Sequence, residues 1–180
     1  MKLMIASDIH GSAFYAQKLI ECFNREKPDK LLLLGDILYN GPRNDLPIVY
    51  DPKKVIELLN GVKERVLCVR GNCDTEVDQM VLSFPIMSDY SVILFEDKLI
   101  YATHGHIYGK ENPPPLNDGN ILLCGHTHIP EASEFGGNLY INPGSVSIPK
   151  NDSENSYMIF ENNCFKWKNL DVKVYKEYKI

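Results

Sequence analysis

The chain has 180 residues, of which 44% are hydrophobic and 24% are charged, and its formal net charge is −5. This length suits one domain over residues 1–180, able to bury about 70% of the surface that its unfolded chain would expose. The mildly acidic composition lacks the basic excess that drives nonspecific binding to nucleic-acid phosphates, so the charge does not indicate a nucleic-acid partner.

The first half of the sequence alternates strand and helix patterns. Short apolar runs predict buried strands at residues 3–6, 31–34 and 66–69. Between the first two runs, Ser12 can cap a helix that extends to about Lys27. A second helix is expected over 52–60 and a third over 76–84. Strand, helix and strand in succession predict parallel pairing with a right-handed crossover.

The second half reads as consecutive strands with little helical pattern between them. Strands are expected near residues 91–95, 99–104, 121–125, 138–142, 156–161 and 164–175. Consecutive strands favour antiparallel hairpins and therefore a second sheet. Two long loops, at residues 37–50 and 107–119, interrupt the elements, and loops of this length in a compact domain are usually functional.

The amino-terminal segment MKLMIASD and the cysteines bear on the cellular compartment. The apolar run in that segment is too short for a signal-peptide core, and no later run approaches the roughly 18 residues of a membrane span. The five cysteines are scattered without a CxxC pair, which disfavours a disulfide framework and a thiolate zinc site. We therefore expect a cytoplasmic protein that has no membrane partner.

Potential metal ligands follow the apolar strands. They are Asp8 and His10 after the first run, Asp36 after the second, Asn72 after the third, His104 after the run at 99–102, and His126 and His128 after the run at 121–124. Because the carboxyl ends of neighbouring parallel strands meet at one crevice, we expect these seven groups to converge. Any one of the motifs alone could be an ordinary polar turn, so the inference depends on their joint placement.

The donor types of these seven residues indicate which ions could bind. Carboxylates, imidazoles and an amide oxygen suit Mn²⁺, Fe²⁺ or Zn²⁺, and seven ligands exceed what one ion with an open position needs. Two metals sharing one carboxylate are therefore expected, with a bridging hydroxide as the nucleophile for phosphate-ester hydrolysis. A single structural zinc held by four of the residues is the alternative, and it leaves three polar groups unexplained.

The motifs DIH, GD, GNCD, THGH and GHTH, each after a strand, resemble the signature of the calcineurin-like metallophosphoesterases. More narrowly, NGPRN, RGNCD and NPGSVSIPK resemble the small bacterial YfcE-type phosphodiesterases. The resemblance runs the full length of the chain. It implies an α/β fold, a four-layer αββα sandwich with two mixed β-sheets, and it leaves open a homo-oligomer.

Carried over position by position, the resemblance implies a division of the ligands between two divalent metal ions. One ion would be held by Asp8, His10, Asp36 and His128, and the other by Asp36, Asn72, His104 and His126. Mn²⁺ is common in such enzymes, while Zn²⁺, Fe²⁺ and Mg²⁺ stay open. The implied activity is hydrolysis of a small phosphodiester substrate, with a phosphomonoesterase on the same centre as an alternative. A further alternative is a non-catalytic scaffold, because a retromer subunit of this fold is regarded chiefly as an interaction protein.

The sequence departs from the wider family at two positions. Tyr39 stands where a GDxxD motif ends in aspartate, and Cys73 stands where GNH has a histidine that can protonate the leaving group. A thiol is a poor proton donor beside an imidazolium, so we expect slow hydrolysis of esters with alkoxide leaving groups. Cys73 could also be a metal ligand or a covalent nucleophile, but a pocket-wall thiol is the preferred interpretation.

Two further residues are candidates for catalysis. His106 is the one histidine outside the predicted ligand set, and it could supply the missing proton or simply lie beside the metals. Arg43 lies in the long loop after Asp36, and its guanidinium could bind a phosphoryl oxygen or remain a solvated surface group.

Overall fold

The computed structural model describes residues 1–95 and 97–180. The elements in chain order are β1 (Leu3–Ala6), α1 (Ala13–Glu26), β2 (Lys30–Leu33), α2 (Pro52–Asn60), β3 (Val66–Cys68), α3 (Glu76–Gln79), β4 (Tyr90–Phe95), β5 (Lys98–Thr103), β6 (Ile121–Leu123), β7 (Pro130–Phe135), β8 (Asn138–Pro143), β9 (Ser156–Glu161), β10 (Cys164–Asn169) and β11 (Val174–Lys179). Of the helices in these described ranges, none has the length and apolar character needed to cross a membrane.

The strands form two mixed sheets, as the sequence predicts. The first has the order β11-β10-β9-β1-β2-β3, and the second has the order β4-β5-β6-β8-β7. In the first sheet β1, β2 and β3 are parallel, while β1 and β9 are antiparallel. In the second sheet β5, β6 and β8 are parallel, and the two edge strands run antiparallel to their neighbours. In each sheet, several parallel strands therefore end at the same edge.

Alternation along the strands builds two apolar layers. Met4 faces the helices, where it joins Leu19 of α1 and Leu59 of α2, and the next residue, Ile5, faces the second sheet in a layer that also contains Trp167 of β10. This period of two is what a strand buried on both faces requires. The two layers hold the sheets face to face and fix the relative position of their strand ends.

The outermost layer is thin. Leu122, Cys124 and Tyr140 form a small cluster on the outer face of the second sheet, and Leu116 from the long loop packs against it. In the described residues this face is therefore covered by a loop segment, while α1 and α2 pack on the first sheet.

Two predicted elements differ from the structure, and one strand was not predicted. The strand expected over 164–175 is two strands, because Asn169 Oδ1 accepts hydrogen bonds from the backbone of Asp171 and Lys173 and closes a turn. The sequence analysis missed β7, since its residues PEASEF form no apolar run. The helix expected over 76–84 is confined to the single turn Glu76–Gln79.

Candidate metal centre

The seven predicted ligands follow five parallel strands of both sheets. Asp8 and His10 follow β1, Asp36 follows β2 and Asn72 follows β3, while His104 follows β5 and His126 and His128 follow β6. The sequence analysis expected one crevice at the edge of a sheet, and the structure forms it where the strand ends of two facing sheets meet. Asp8, His10 and His104 are each at most 1% exposed, so their polar atoms are removed from bulk water.

The backbone at this edge is strained. Positive φ angles occur at five of the seven residues: Asp8 (59°), His10 (49°), Asp36 (54°), His126 (66°) and His128 (63°). Residues other than glycine adopt this region uncommonly, and such strain concentrates at functional sites because the surrounding structure must hold it. Gly71 is needed for a different reason, since a Cβ atom there would collide with the Asp36 carboxylate.

A first group joins Asp8, His10 and His128. Asp8 Oδ1 lies 3.5 Å from His10 Nε2 and 3.2 Å from His128 Nε2, and the two Nε2 atoms are 3.3 Å apart. His10 Nδ1 lies 2.9 Å from the carbonyl oxygen of Tyr39, and His128 Nδ1 lies 2.6 Å from that of Ile148. Because a carbonyl can only accept, Nδ1 of each neutral ring carries the proton and both Nε2 lone pairs face each other.

The opposed Nε2 atoms need either a proton on one ring or a metal cation between them, and, although burial opposes protonation, contact with the Asp8 carboxylate raises the pKa of His10. Two unprotonated imidazole nitrogens cannot hydrogen-bond to each other, and the buried Asp8 Oδ1 has no hydrogen-bond partner among the described residues. A divalent ion among the three groups would satisfy all of them, and nitrogen and carboxylate donors suit Mn²⁺, Fe²⁺ and Zn²⁺. The residues therefore fit a metal site.

A second group surrounds His104. Its Nδ1 lies 2.6 Å from the carbonyl oxygen of Leu34. In the neutral ring this again leaves the lone pair of Nε2 free to bind a metal. That Nε2 lies 3.1 Å from Asn72 Oδ1, 3.2 Å from His126 Nδ1 and 3.5 Å from Asp36 Oδ2. Asp36 Oδ2 also lies 3.7 Å from His10 Nε2 of the first group, so this carboxylate stands between the two groups.

The pKa values follow from burial and from these close contacts. Burial opposes ionisation of Asp8, but contacts with His10 and His128 hold its pKa well below the usual value. Burial also opposes protonation of His104, yet hydrogen bonding to Asp36 and the charges of Asp8 and Asp36 raise its pKa to about 9. The metal-free centre therefore holds its carboxylates ionised beside a protonated imidazole.

Cys73 lies beside the centre and not on a free surface. Its backbone NH donates to Asp36 Oδ1 at 2.8 Å, and its Sγ accepts from Asn72 Nδ2 at 3.3 Å. Its sulfur also lies within 4.8 Å of donor atoms of His10 and Asp36, so geometry alone permits ligation. Burial and the negative charge of Asp36 raise the pKa of the thiol, which favours the neutral wall residue over a thiolate.

His106 stands next to the predicted ligands. The centroid of its ring is 5.3 Å from that of His104 and 6.3 Å from that of His126, and its Nδ1 is buried with no hydrogen-bond partner among the described residues. Burial and the neighbouring imidazoles lower its pKa to about 4. The ring is therefore neutral at pH 7, which argues against an imidazolium proton donor.

Arg43 lines a cleft of about 500 Å³ together with the predicted ligands Asp36, Asn72, His126 and His128. Lys150 lines the same cleft, and its backbone NH donates to the carbonyl oxygen of His128 at 3.3 Å. Two cationic side chains at the mouth of a cleft suit an anionic ligand. A larger cavity of about 660 Å³, lined by Lys98, Tyr178 and Ile180 among others, contains none of the predicted site residues.

Several residues that hold the ligand loops were not predicted from the sequence. The buried Asp74 carboxylate accepts backbone NH groups of Asp36 (2.8 Å), Ile37 (2.9 Å) and Gly71 (2.7 Å), which joins the loops after β2 and β3. Its place next to Cys73 in GNCD was the available signal. Tyr39 supports His10 through its backbone carbonyl, so support there does not require the aspartate of GDxxD.

A second set of supports comes from the segment after β8. Asn142 Oδ1 accepts the NH of Gly144 and closes a tight turn, and Nδ2 donates to Gly125 O at 2.7 Å. Ser145 and Ser147 both donate to the carbonyl oxygen of Asp8, at 2.8 and 3.0 Å. The sequence NPGSVS thus positions two ligand loops.

Comparison with known proteins agrees with this geometry. The profile of the calcineurin-like phosphoesterase superfamily domain matches residues 1–163. Phosphodiesterase YfcE of Escherichia coli K12 is 49% identical over 163 residues, covering 91% of this chain and 89% of the relative. The solved structure of YfcE, described as a phosphoesterase from E. coli, has a TM-score of 0.96 at 46% identity, with both chains fully covered. Vacuolar protein sorting 29 from Cryptosporidium parvum shares the fold, with a TM-score of 0.65 at 20% identity, covering 99% of this chain and 98% of that one.

Proposed function

The chain belongs to the calcineurin-like phosphoesterase superfamily, and we propose that it is a phosphodiesterase that binds two divalent metal ions and acts on a small phosphoester. The observation that carries this proposal is the close approach of His10 Nε2 and His128 Nε2 beside Asp8 Oδ1, which has no hydrogen-bond partner among the described residues. A buried arrangement of this kind is unfavourable without a cation.

The proposed ligands divide into two sets that share one carboxylate. Asp8, His10, Asp36 and His128 would hold one ion, and Asp36, Asn72, His104 and His126 would hold the other. The position of Asp36 Oδ2, between His10 Nε2 at 3.7 Å and His104 Nε2 at 3.5 Å, supports its role as the shared ligand. Mn²⁺ is the proposed metal because the family resemblance implies it, and the donor set of imidazole, carboxylate and amide groups is compatible with it as with Fe²⁺ and Zn²⁺.

Bound divalent ions supply Lewis acidity and lower the pKa of water toward neutrality. The side chains of the chain do the rest. The Nδ1–H groups of His10, His104 and His128 donate to backbone carbonyls, which fixes each ring in the orientation that presents Nε2. Arg43 and Lys150 at the mouth of the cleft would hold non-reacting phosphoryl oxygens through charge-assisted hydrogen bonds.

Neither of the two candidate proton donors, Cys73 and His106, is set up to protonate the leaving group at neutral pH. The Cys73 thiol has a raised pKa, and His106 is neutral because its pKa is lowered to about 4. Leaving groups that depart without a proton should therefore be preferred. This preference favours diesters with acidic alcohols over alkyl esters.

The test is hydrolysis of bis(4-nitrophenyl) phosphate by Mn²⁺-loaded protein and by Asp36→Asn. Wild type should turn over the diester, and Asp36→Asn should lose at least about 10³-fold in kcat, since it removes the shared ligand. Asp45→Asn makes the same change at an exposed position of the adjacent loop and should keep wild-type activity. A metal-loaded wild type that hydrolyses neither this diester nor a panel of phosphomonoesters would contradict the proposal and favour a scaffold role.

A further inference from the structure

A second cleft, of about 320 Å³, opens beside the metal centre. We call it the His106 cleft and define it by His106, Ile107, Lys110, Cys124, Glu131 and Tyr140. His126 and Thr127 line both this cleft and the one that contains Arg43, so they form the wall between the two. A group attached to a phosphoryl at the centre could therefore reach across that wall.

One part of the wall of the His106 cleft is apolar. It is formed by Ile107, by Tyr140, which is 4% exposed, and by Cys124, which is 1% exposed. The Tyr140 hydroxyl accepts from Asn142 Nδ2 at 3.2 Å, which fixes the ring that forms one side. The volume is at the small end of the range for small-molecule pockets, enough for one ring system.

Among the described residues that line the cleft, none offers a free cation for a second anionic group. Lys110 Nζ lies 2.5 Å from Glu131 Oε1 and 4.6 Å from the centroid of the Tyr140 ring, so its charge is already neutralised. Glu111, also in the lining, adds a negative charge that disfavours an anion. The Arg43 side of the centre has the opposite character, because two cations line it.

These observations fit an uncharged, flat and apolar occupant. We propose that the His106 cleft binds an aromatic ring carried by one ester substituent of the phosphodiester substrate. The inference rests on the proposed function, since it takes the phosphoryl group to lie at the metal centre. An aryl group and a nucleobase share this chemistry.

Calorimetric binding of two phosphonates to the Mn²⁺-loaded protein tests the proposal without relying on turnover. Phenylphosphonate should bind about tenfold more tightly than methylphosphonate, because the ring removes apolar surface from water. Ile107→Trp enlarges a side chain that lines the cleft and should bring the two dissociation constants to within about twofold of each other. Ile48→Trp, on an exposed loop residue outside the cleft, should keep the tenfold preference.

Equal affinities for the two phosphonates in wild type, or failure of both to bind, would overturn the proposal. An Ile107→Trp variant that keeps the preference for phenylphosphonate would do the same. If thermal melting shows that this variant is unfolded, Asn112→Trp replaces it, because Asn112 is an exposed residue that lines the same cleft. This variant should likewise lose the preference for phenylphosphonate. Thymidine 5′-phosphate against ribose 5-phosphate then separates a nucleobase from a simple aryl ring as the preferred occupant.

Failure of the proposed function gives a different pattern. If the protein discriminates the phosphonates but never hydrolyses bis(4-nitrophenyl) phosphate, the ring-binding cleft is supported and the diesterase proposal is wrong. If it hydrolyses the diester but binds both phosphonates equally, the diesterase proposal is supported and the ring-binding cleft is wrong.

Discussion

Replacing Cys73 with histidine should change the leaving-group dependence of hydrolysis. The thiol lies in the wall of the metal cleft, and its backbone NH is held by Asp36 Oδ1 at 2.8 Å, so a new side chain at this position starts next to the shared ligand. An adjoining cleft of about 360 Å³, bordered by Tyr39 and Tyr50, gives a larger side chain room to turn. Cys73→His would therefore add an acid where the structure has none.

The magnitude depends on the leaving group. General acid catalysis typically contributes 10²- to 10⁴-fold, and we expect the lower end, about 10²-fold or 2.7 kcal/mol, because the ring is not positioned by dedicated partners. That gain should appear for diesters with alkyl leaving groups. A 4-nitrophenyl leaving group departs without a proton, so its rate should change by less than about threefold.

The assay is kcat for a series of diesters from 4-nitrophenyl through phenyl to alkyl leaving groups, with metal content measured for each variant. Cys73→Ser is the matched control, and its rates should stay close to wild type along the whole series because a hydroxyl is no better an acid. An increase that is equal for all leaving groups, no increase for any, or loss of activity in Cys73→Ser would refute the reasoning.

Three further predictions concern stability and metal binding. Asp74→Ala should lower the free energy of unfolding by about 3 kcal/mol in urea titrations, since it leaves three buried NH groups without their acceptor, and Asp45→Ala should not. Trp167→Phe should cost about 2 kcal/mol by the same measurement, because it loses the hydrogen bond from Nε1 to the Asn142 carbonyl and leaves space between the sheets. Mn²⁺ binding should release about one proton per chain at pH 7, because the His104 pKa is raised to about 9 in the metal-free protein and binding requires a neutral ring. The proton release should disappear as the pH rises above 9. Calorimetry in buffers of different ionisation enthalpy measures it.

The raised pKa of His104 also makes the stability of the metal-free protein depend on pH. Because the folded value lies above the ordinary 6.5, this group stabilises the metal-free fold fully below pH 6.5, and the contribution is lost as the pH rises through about 9. Bound metal would remove this dependence by replacing the proton.

The sequence predicted the parts of the molecule that follow from local patterns. Runs such as LMIA and ILL are short, apolar and bounded by polar turns, so the sequence pattern alone predicts the parallel strands and the polar groups after them. The strand β7 could not, because PEASEF pairs with β8 as an edge strand and is only partly buried. An edge strand needs less apolar character than a central one.

The supports of the centre could not be predicted for a different reason. Ser145 lies far along the chain from Asp8, and the packing of the two sheets brings them together, while Lys150 reaches His128 because β8 pairs with β6. The ring orientations of His10, His104 and His128 depend on backbone carbonyls, which carry no sequence signal. The His106 cleft likewise depends on how one loop covers the outer face of the second sheet.

Electron paramagnetic resonance of Mn²⁺-loaded protein, with the metal quantified per chain, tests the central claim most directly. Asp36 as a shared ligand predicts two Mn²⁺ per chain and the multiline signal of an exchange-coupled pair, with Asp36→Asn losing the coupling. One tightly bound Mn²⁺ per chain, or two without magnetic coupling, would contradict a centre built on a shared carboxylate.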